Sequence, residues 1–438
     1  MTQSLYSWGR FPRAPQSGHA CGWREELPAQ LQHIVATHRS TLPFGNGRSY
    51  GDSCLASSDQ VLEMRALDRL IHADWALGTV QVEAGMTLAE LLALAIPHGW
   101  FLPVTPGTQF ATVGGAIAND VHGKNHHRRG TFGHHLLSFC LLRHGEAPLV
   151  CSPDEQPELF AATVGGLGLT GLVSWAQLRL MPIRASQIDT RTVRFGSLTD
   201  FFSLSAELDH QHEYSVAWVD CLAKGANTGR GVFIVGDHAR YGSLDIGARR
   251  KLRVPVTPPV SLINNASLKL FNEVYWRRHP KRLTDQRTPY EPFFYPLDSI
   301  LHWNRIYGPQ GFQQYQCVLP EASAEAGMGA LLRAIADAGE GSFLAVLKRC
   351  GRLRSPGLLS FPMPGTSLAL DFPQRGDRLC PLFARLDAIV REAGGRLYPA
   401  KDAHMSGSDF RLAYPAWERL EALRDPTLMS RFWKRVIV

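Results

Sequence analysis

Hydrophobic and polar positions along this chain alternate in two different periods, and each change of period marks an element. Thr79–Gly85 (TVQVEAG) places apolar residues at alternate positions and stops on glycine, which predicts a strand. Thr87–Gly99 (TLAELLALAIPHG) switches to helical spacing, with Thr87 as cap and Glu90 in the reciprocal capping position. Pro97 disturbs its last turn. A further helix is predicted over Asp154–Thr163.

Around Pro182 the texture changes, and a second α+β unit runs to about Arg396. FQQYQCVLP predicts a strand with Phe312, Gln314, Gln316 and Val318 on one face. Glu321–Ala338 predicts a helix whose apolar stripe is Met328, Leu331, Leu332 and Ile335, ended by Gly339. SFLAVLK and TSLALDFP predict strands. Gly376–Ala393 predicts a helix packing through Leu379, Leu382, Phe383, Leu386, Ile389 and Val390. Leu268–Arg287 is basic with interleaved aromatics, readable either as a surface for lipid phosphate or a membrane, or as a solvated loop.

The 438 residues leave room for more than one core, and 45% hydrophobic with 19% charged residues excludes a disordered chain. The net charge of +7 is spread along the chain, so it favours an anionic partner without marking a nucleic-acid patch. Eight scattered cysteines with no CxxC pair argue against a disulfide scaffold, a zinc knuckle or an iron–sulfur cluster, and for a reducing compartment. MTQSLYSWGRFPRAP lacks the apolar core of a secretory signal, and no uncharged apolar run reaches membrane-spanning length. The expectation is a cytoplasmic protein, with contact at a membrane surface left open.

Glycine clusters where the elements join. In PFGNGRSYGDS (Pro43–Ser53) three glycines with polar residues between them describe a turn whose backbone N–H groups converge, a receptor for phosphate oxygens. A plain surface turn is the alternative. The motif is neither a Walker A loop nor a Rossmann fingerprint. In TPGTQFATVGGAIANDVHGKNHH, Gly114–Gly115 precede a short helix whose first amides are expected to be free for an anion. Five histidines follow, at 122, 126, 127, 134 and 135, without HExxH or comparable spacing, so no metal site is expected.

Taken together, PFGNGRSYGDS, PVTPGTQFATVGGAIANDVHGKNHHRRGTFGHH and GGLGLTGLV resemble the flavin domain of the vanillyl-alcohol-oxidase-type (PCMH-type) FAD enzymes. The likeness is greatest to the decaprenylphosphoryl-β-D-ribose 2′-oxidase group. It continues through YEPFFYPLDSILHWNRIYGPQGFQQYQCVLP, LLSFPMPGTSLALDFP and GGRLYPAKD, and so spans most of the chain.

The resemblance implies an α+β fold: an FAD-binding domain over 1–185, an inserted α+β substrate-binding domain over 186–395, and a return over 396–438 that completes the first. It assigns FAD to Gly45, Asn46, Gly47, Arg48, Ser49, Tyr50, Gly51, Asp52 and Ser53, then to Gly107, Thr112, Val113, Gly114 and Gly115. Further contacts fall at Asn119, Asp120, Val121, His122 and Gly123, at Leu172 or Val173, and at Tyr398 and Lys401. Many relatives tether FAD through a histidine in the first loop; Tyr50 stands there instead, so non-covalent FAD is expected.

By the same likeness Lys401 and His122 are the expected catalytic residues. Lys401 takes the hydroxyl proton, orients the hydroxyl or stabilises reduced flavin. Lys124, Tyr295, Gln314, Gln316 and Lys348 are expected to meet the substrate, with Ser367 and Ala369 standing where the nearest relatives have Asn and Cys. The implied reaction is FAD-dependent oxidation of a secondary hydroxyl on a phosphate-linked sugar, such as a polyprenylphosphoryl pentose. The alternative substrate is a free sugar, alditol or aldonolactone. The resemblance also implies a partner reductase and leaves the electron acceptor open between oxygen, a quinone and another carrier. A nucleic-acid binder, and a flavoprotein with only a structural role, are the readings from other classes.

Overall fold

The computed structural model describes residues 4–247, 251–342 and 344–437. Its two main sheets are built on period-two runs. In the first, Leu70–Asp74, Thr79–Glu83, Leu172–Arg179, Leu136–Leu142 and Leu149–Cys151 lie side by side in that order, all antiparallel. Val80, Val82, Leu141, Ala176 and Leu178 pack in one core with Leu88, Leu91 and Leu92 of the Leu88–Ala95 helix. That helix is capped as its sequence predicts: Thr87 N donates to Glu90 Oε2 at 2.8 Å and Glu90 N to Thr87 Oγ1 at 3.3 Å. Pro97 falls in a short 3-10 turn that closes on Gly99 at φ 81°. A small parallel sheet, Ser17–Ala20, Gln60–Glu63 and Pro43–Phe44, delivers the chain into the first glycine loop.

The second sheet draws all eight strands from residues 187–397. Their order is Thr284–Pro289, Gln187–Phe195, Gly231–His238, Tyr214–Val219, Ala345–Cys350, Gly365–Pro373, Phe312–Pro320 and Arg396–Leu397. Successive side chains on these strands alternate between two environments. Ala217, Phe233, Val235, Tyr315, Cys317, Leu347, Leu368 and Leu370 pack beneath the helices Leu198–Leu208, Ala324–Ala338 and Cys380–Glu392. Leu331, Leu332, Ile335, Leu382, Phe383 and Leu386 come down from the helix side, each worth about 1.5–3 kcal/mol when fully buried. The intervening residues, among them Val216, Trp218, Ile234, Val346 and Ala369, line a cavity instead.

Several helices start later than the periodicity predicts. Pro157 opens the Pro157–Thr163 helix after Gln156 at φ 55°, and Pro381 lies in the first turn of Cys380–Glu392. Ala324 rather than Glu321 begins another, because residues 321–323 form a turn in which Ser323 N donates to Pro320 O. The SFLAVLK strand begins at Ala345; Phe343 lies outside the described residues. Leu268–Arg287 divides into the helix Asn265–Arg278 and the start of an edge strand, Thr284–Pro289.

Beyond Leu397 the chain returns to its first part. Thr41 bridges Leu428, Ala56 bridges Ser430, and Tyr50 N donates to Ala400 O at 3.0 Å. Arg435, on the helix Arg431–Ile437, donates to both oxygens of Asp52, at 3.0 and 2.9 Å, and to Asp402 Oδ2 at 2.7 Å. Among the described residues no helix is long and apolar enough to cross a membrane.

Candidate active site

The loop that leaves Phe44 is pinned by its neighbours. Trp8 N donates to Ser49 O and Gly9 N to Tyr50 O. The amides of Asn46, Gly47, Arg48 and Ser49, by contrast, donate to no protein acceptor among the described residues. Four consecutive free N–H groups form a concavity for an anion. Its glycines answer different needs. Gly47 holds φ 58°, whereas a Cβ on Gly51 would lie 1.6 Å from Asp402 O.

The second anion site expected from sequence is closed. The short helix is Val113–Ala118, so Gly114 and Gly115 lie inside its first turn. Val113 N donates to Met86 O, Gly114 N to Ala84 O and Gly115 N to Thr112 Oγ1. The two glycines serve close packing instead, since a Cβ on Gly114 would stand 3.1 Å from that of Ala84.

A cavity of about 520 Å³ opens between the free amides and the inner face of the eight-stranded sheet. Three lysines reach it. Lys401 Nζ has no acceptor among the described residues and sits over the Tyr50 ring. Lys348 Nζ donates to Gly123 O at 3.3 Å, and Lys124 Nζ to Phe293 O. None of the three forms an ion pair among the described residues. Burial lowers all three, Lys401 and Lys124 to about 7 and Lys348 to about 8, with Lys348 adding repulsion on the other two.

Asp371 is the counterweight. Its Oδ1 accepts from Gln314 Nε2 at 2.6 Å, while the buried Oδ2 has no partner. Burial raises its pKa to about 7 against the pull of Gln314 and Lys401. His122 Nε2 lies 3.2 Å from Gln316 Nε2. With that amide donating, the ring proton resides on Nδ1, which is buried and unpartnered. Burial, then Lys348, His126 and Lys401, hold His122 well below its ordinary pKa, so it is neutral at pH 7.

Most of the expected residues line this one cavity: Gly45, Asn46, Gly47, Arg48, Ser49, Tyr50, Ser53, Gly107, Thr112, Gly114 and Gly115 from the first half of the chain. Asn119, Val121, His122, Gly123, Lys124 and Val173 also reach it, as do Gln314, Gln316, Lys348, Ser367, Ala369, Tyr398 and Lys401. Six do not. Gly51 packs on Asp402, the Asp52 carboxylate faces Arg435, and Val113 and Leu172 are fully buried in apolar cores. Asp120 accepts from Ser355 and Ser360, and Tyr295 OH bonds Thr105 Oγ1 at 2.7 Å.

Trp8, Asp298, Trp303, Phe271 and Tyr275 also line it and were not found from sequence. Nor was Asp371, although Ser367, Ala369 and Asp371 share one strand face at period two. Asp298 accepts from Thr108 Oγ1 and Gln109 N, and burial raises it to about 6.

This chemistry fits FAD. The free amides suit its diphosphate, the largely apolar walls suit its rings, and three orphaned buried atoms, Arg48 Nε, Ser53 Oγ and His122 Nδ1, belong to lining residues. Among the described residues no cluster of His, Cys, Asp and Glu is arranged to hold a metal.

Comparison with known proteins adds a separate line. The family model described as "FAD binding domain" matches residues 20–146. The decaprenylphosphoryl-β-D-ribose oxidase of Mycolicibacterium smegmatis is 35% identical over 443 residues, covering 97% of this chain and 95% of that protein. An uncharacterized protein of Streptomyces coelicolor is 35% identical over 362 residues, 78% of this chain and 96% of its own. The human Δ(24)-sterol reductase is 26% identical over 144 residues, 33% of this chain and 27% of that protein.

Proposed function

This chain belongs to the decaprenylphosphoryl-β-D-ribose oxidase family, and we propose that it oxidises a secondary hydroxyl of a phosphate-linked sugar to a ketone, using FAD. The observation that carries the reading is the gathering of Lys124, Lys348 and Lys401 in one cavity without ion-pair partners among the described residues. Recessed cations of that kind call for an anion, and a substrate phosphate together with the FAD diphosphate supplies it.

FAD, when bound, accepts the hydride lost from the alcohol carbon. The protein handles the proton. Lys401, with a pKa of about 7, is partly unprotonated at neutral pH, and its Nζ takes the hydroxyl proton. Once protonated, it places a positive charge where negative charge accumulates. Asp371 limits how far the Lys401 pKa falls. Neutral His122 offers Nδ1–H to a substrate oxygen, with Gln316 fixing the ring from the other side. Gln314 and Gln316 hold sugar hydroxyls, and Lys124 and Lys348 bind the phosphate. Ser367 and Ala369 make this wall smaller than the Asn and Cys expected of near relatives, which bears on sugar and lipid choice rather than on hydride transfer.

The FAD-binding part comprises 1–185 and the return over 396–438, whose first two residues, Arg396 and Leu397, still pair as the last strand of the sheet that 186–395 builds on the substrate side. An oxygen or quinone acceptor regenerates the cofactor, and a partner reductase consumes the ketone. Anaerobic mixing of FAD-loaded enzyme with a polyprenylphosphoryl pentose, its dephosphorylated counterpart and free sugars tests the proposal. Bleaching by the phosphate-linked sugar alone is the expected result; equal bleaching by free polyols overturns it.

A further inference from the structure

A row of largely buried charges lies outside the cavity lining and has no part in the chemistry proposed above. Asp387, His404, Asp402, Arg435 and Asp52 follow one another with alternating sign, each paired with the next. His404 stands where the eight-stranded sheet and its helices meet the returning segment. Its ring packs on Phe383 of the Cys380–Glu392 helix and Tyr315 of the Phe312–Pro320 strand, with centroids 4.6 and 5.8 Å away. Nε2 lies 3.2 Å from Asp387 Oδ1, and Nδ1 lies 3.2 Å from Asp402 Oδ1. A carboxylate only accepts, so an unprotonated nitrogen at either place sets a lone pair against it. The arrangement suits an imidazolium, with a proton on each nitrogen.

The two carboxylates differ in what else they hold. Asp402 is the hub of the turn that carries Lys401. Its Oδ1 accepts from His404 N and Met405 N at 3.1 and 2.9 Å, and its Oδ2 accepts from Arg435. The main chain of the same turn floors the glycine loop, with Asp402 O against Gly51 and Ala400 O accepting from Tyr50 N. Asp387, among the described residues, accepts only from Tyr315 OH, at 2.9 Å, and from His404. Arg435 also faces the ring, and Arg391 faces Asp387 from the same helix. Burial pulls the His404 pKa down, but Asp402 and then Asp387 outweigh it and leave it above the ordinary 6.5.

We propose that His404 is a positioning residue whose proton clips this turn to the Cys380–Glu392 helix, and so holds Lys401 and the floor of the glycine loop in place for FAD. When the proton leaves, the remaining N–H serves one carboxylate, and the other is left buried against a lone pair. The contribution is complete below the ordinary 6.5 and is lost as pH rises through the raised value. In the FAD-free protein it works against Lys124, Lys348 and Lys401, whose lowered values favour the folded state as pH rises, one group against three. Its bearing on the reaction rests on the role proposed for Lys401, but FAD affinity reports the clip without turnover.

The test titrates FAD-stripped full chain with FAD at a series of pH values and follows flavin fluorescence. His404→Gln, uncharged at every pH, is expected to bind about tenfold more weakly than wild type at about pH 6 and equally at about pH 9. Asp387→Asn keeps an oxygen for Tyr315 and removes one carboxylate. Its affinity should therefore fall to the His404→Gln level about one pH unit earlier than that of wild type. The rate of flavin reduction by a phosphate-linked sugar is expected to show the same convergence. A ratio of wild type to His404→Gln that stays constant with pH, in binding or in rate, is the mark of a contact that only supports the fold, and it overturns the proposal. If His404→Gln shows no cooperative melt, wild type and Asp387→Asn decide alone. An earlier loss of affinity in Asp387→Asn then supports the clip, and coincident curves overturn it. Convergence in binding with no reduction by any phosphosugar refutes the proposed reaction alone.

Discussion

The Nζ of Lys401 lies 3.8 Å from the centroid of the Tyr50 ring, so the first glycine loop and the returning segment meet at one cation–π contact. That contact favours the protonated amine by about 0.5–2 kcal/mol. Tyr50→Leu is therefore expected to lower the pH at which Lys401 reacts half-maximally with an amine-directed label, and Tyr50→Phe to leave it nearly in place. A phenol at this position also predicts that acid precipitation of the holoprotein leaves the pellet colourless and all flavin in solution.

Asp371 opposes the desolvation of Lys401 from the other side. Asn at 371 keeps an oxygen for Gln314 Nε2 and removes the charge. The labelling midpoint of Lys401 should then fall below about 7, while Lys124, whose main perturbations are burial and Lys348, stays put. Tyr50, Tyr307, Lys348 and His122 are the other titratable groups facing this pair. If all three lysines moved together, Asp371 would have no specific hold on Lys401.

The lysine trio also sets a pH dependence for the FAD-free protein. Folded values of about 7, 8 and 7 lie below the ordinary 10.5, so the unfolded chain binds more protons through the alkaline range. Stability should rise from about pH 7 to 9. Asp371, raised to about 7 from 3.8, acts with opposite sign: its contribution is lost as pH rises from about 4 to 7. Lys348→Met removes one buried cation and is expected to stabilise the FAD-free protein by about 1–3 kcal/mol at pH 7, flattening the alkaline rise. Thermal melts across the range check both; a falling Tm between pH 7 and 9 contradicts the account.

Two glycine substitutions separate fold from ligand. Gly51→Ala drives a methyl group into Asp402 O and is expected to cost about 1–3 kcal/mol or more, measured by urea unfolding without FAD. A Cβ on Gly107 meets no atom within 4 Å, so Gly107→Ala should leave that unfolding curve unchanged. It lies on the cavity wall, however, and should weaken FAD binding in a fluorescence titration.

What was legible in the sequence follows the range of the interactions involved. The Thr87–Glu90 cap and the shared face of Gln314 and Gln316 depend on neighbours a few residues away, and periodicity alone exposes them. The Gly45–Ser53 loop was readable because its glycines mark local backbone geometry. The Val113 and Gly114 amides were misread as free because Met86 O and Ala84 O, which accept from them, arrive from a different element, while Gly115 N donates to the helix's own cap, Thr112 Oγ1. Asp371 went unnoticed for the same reason. Its meaning appears only when the antiparallel register sets it opposite Gln314, and Asp298 and Trp303 likewise reach the cavity by tertiary folding.

The double grip of Arg435 on Asp52 and Asp402 has a consequence for biosynthesis. On a ribosome the glycine loop emerges first, followed by the whole eight-stranded sheet, and Lys401 and Arg435 later still. Until then the loop has no floor, and Asp52 and Asp402 repel without a mediator. Cofactor capture must therefore wait for nearly all of this polypeptide to be translated, and a nascent chain stalled before residue 400 should emerge unable to retain flavin.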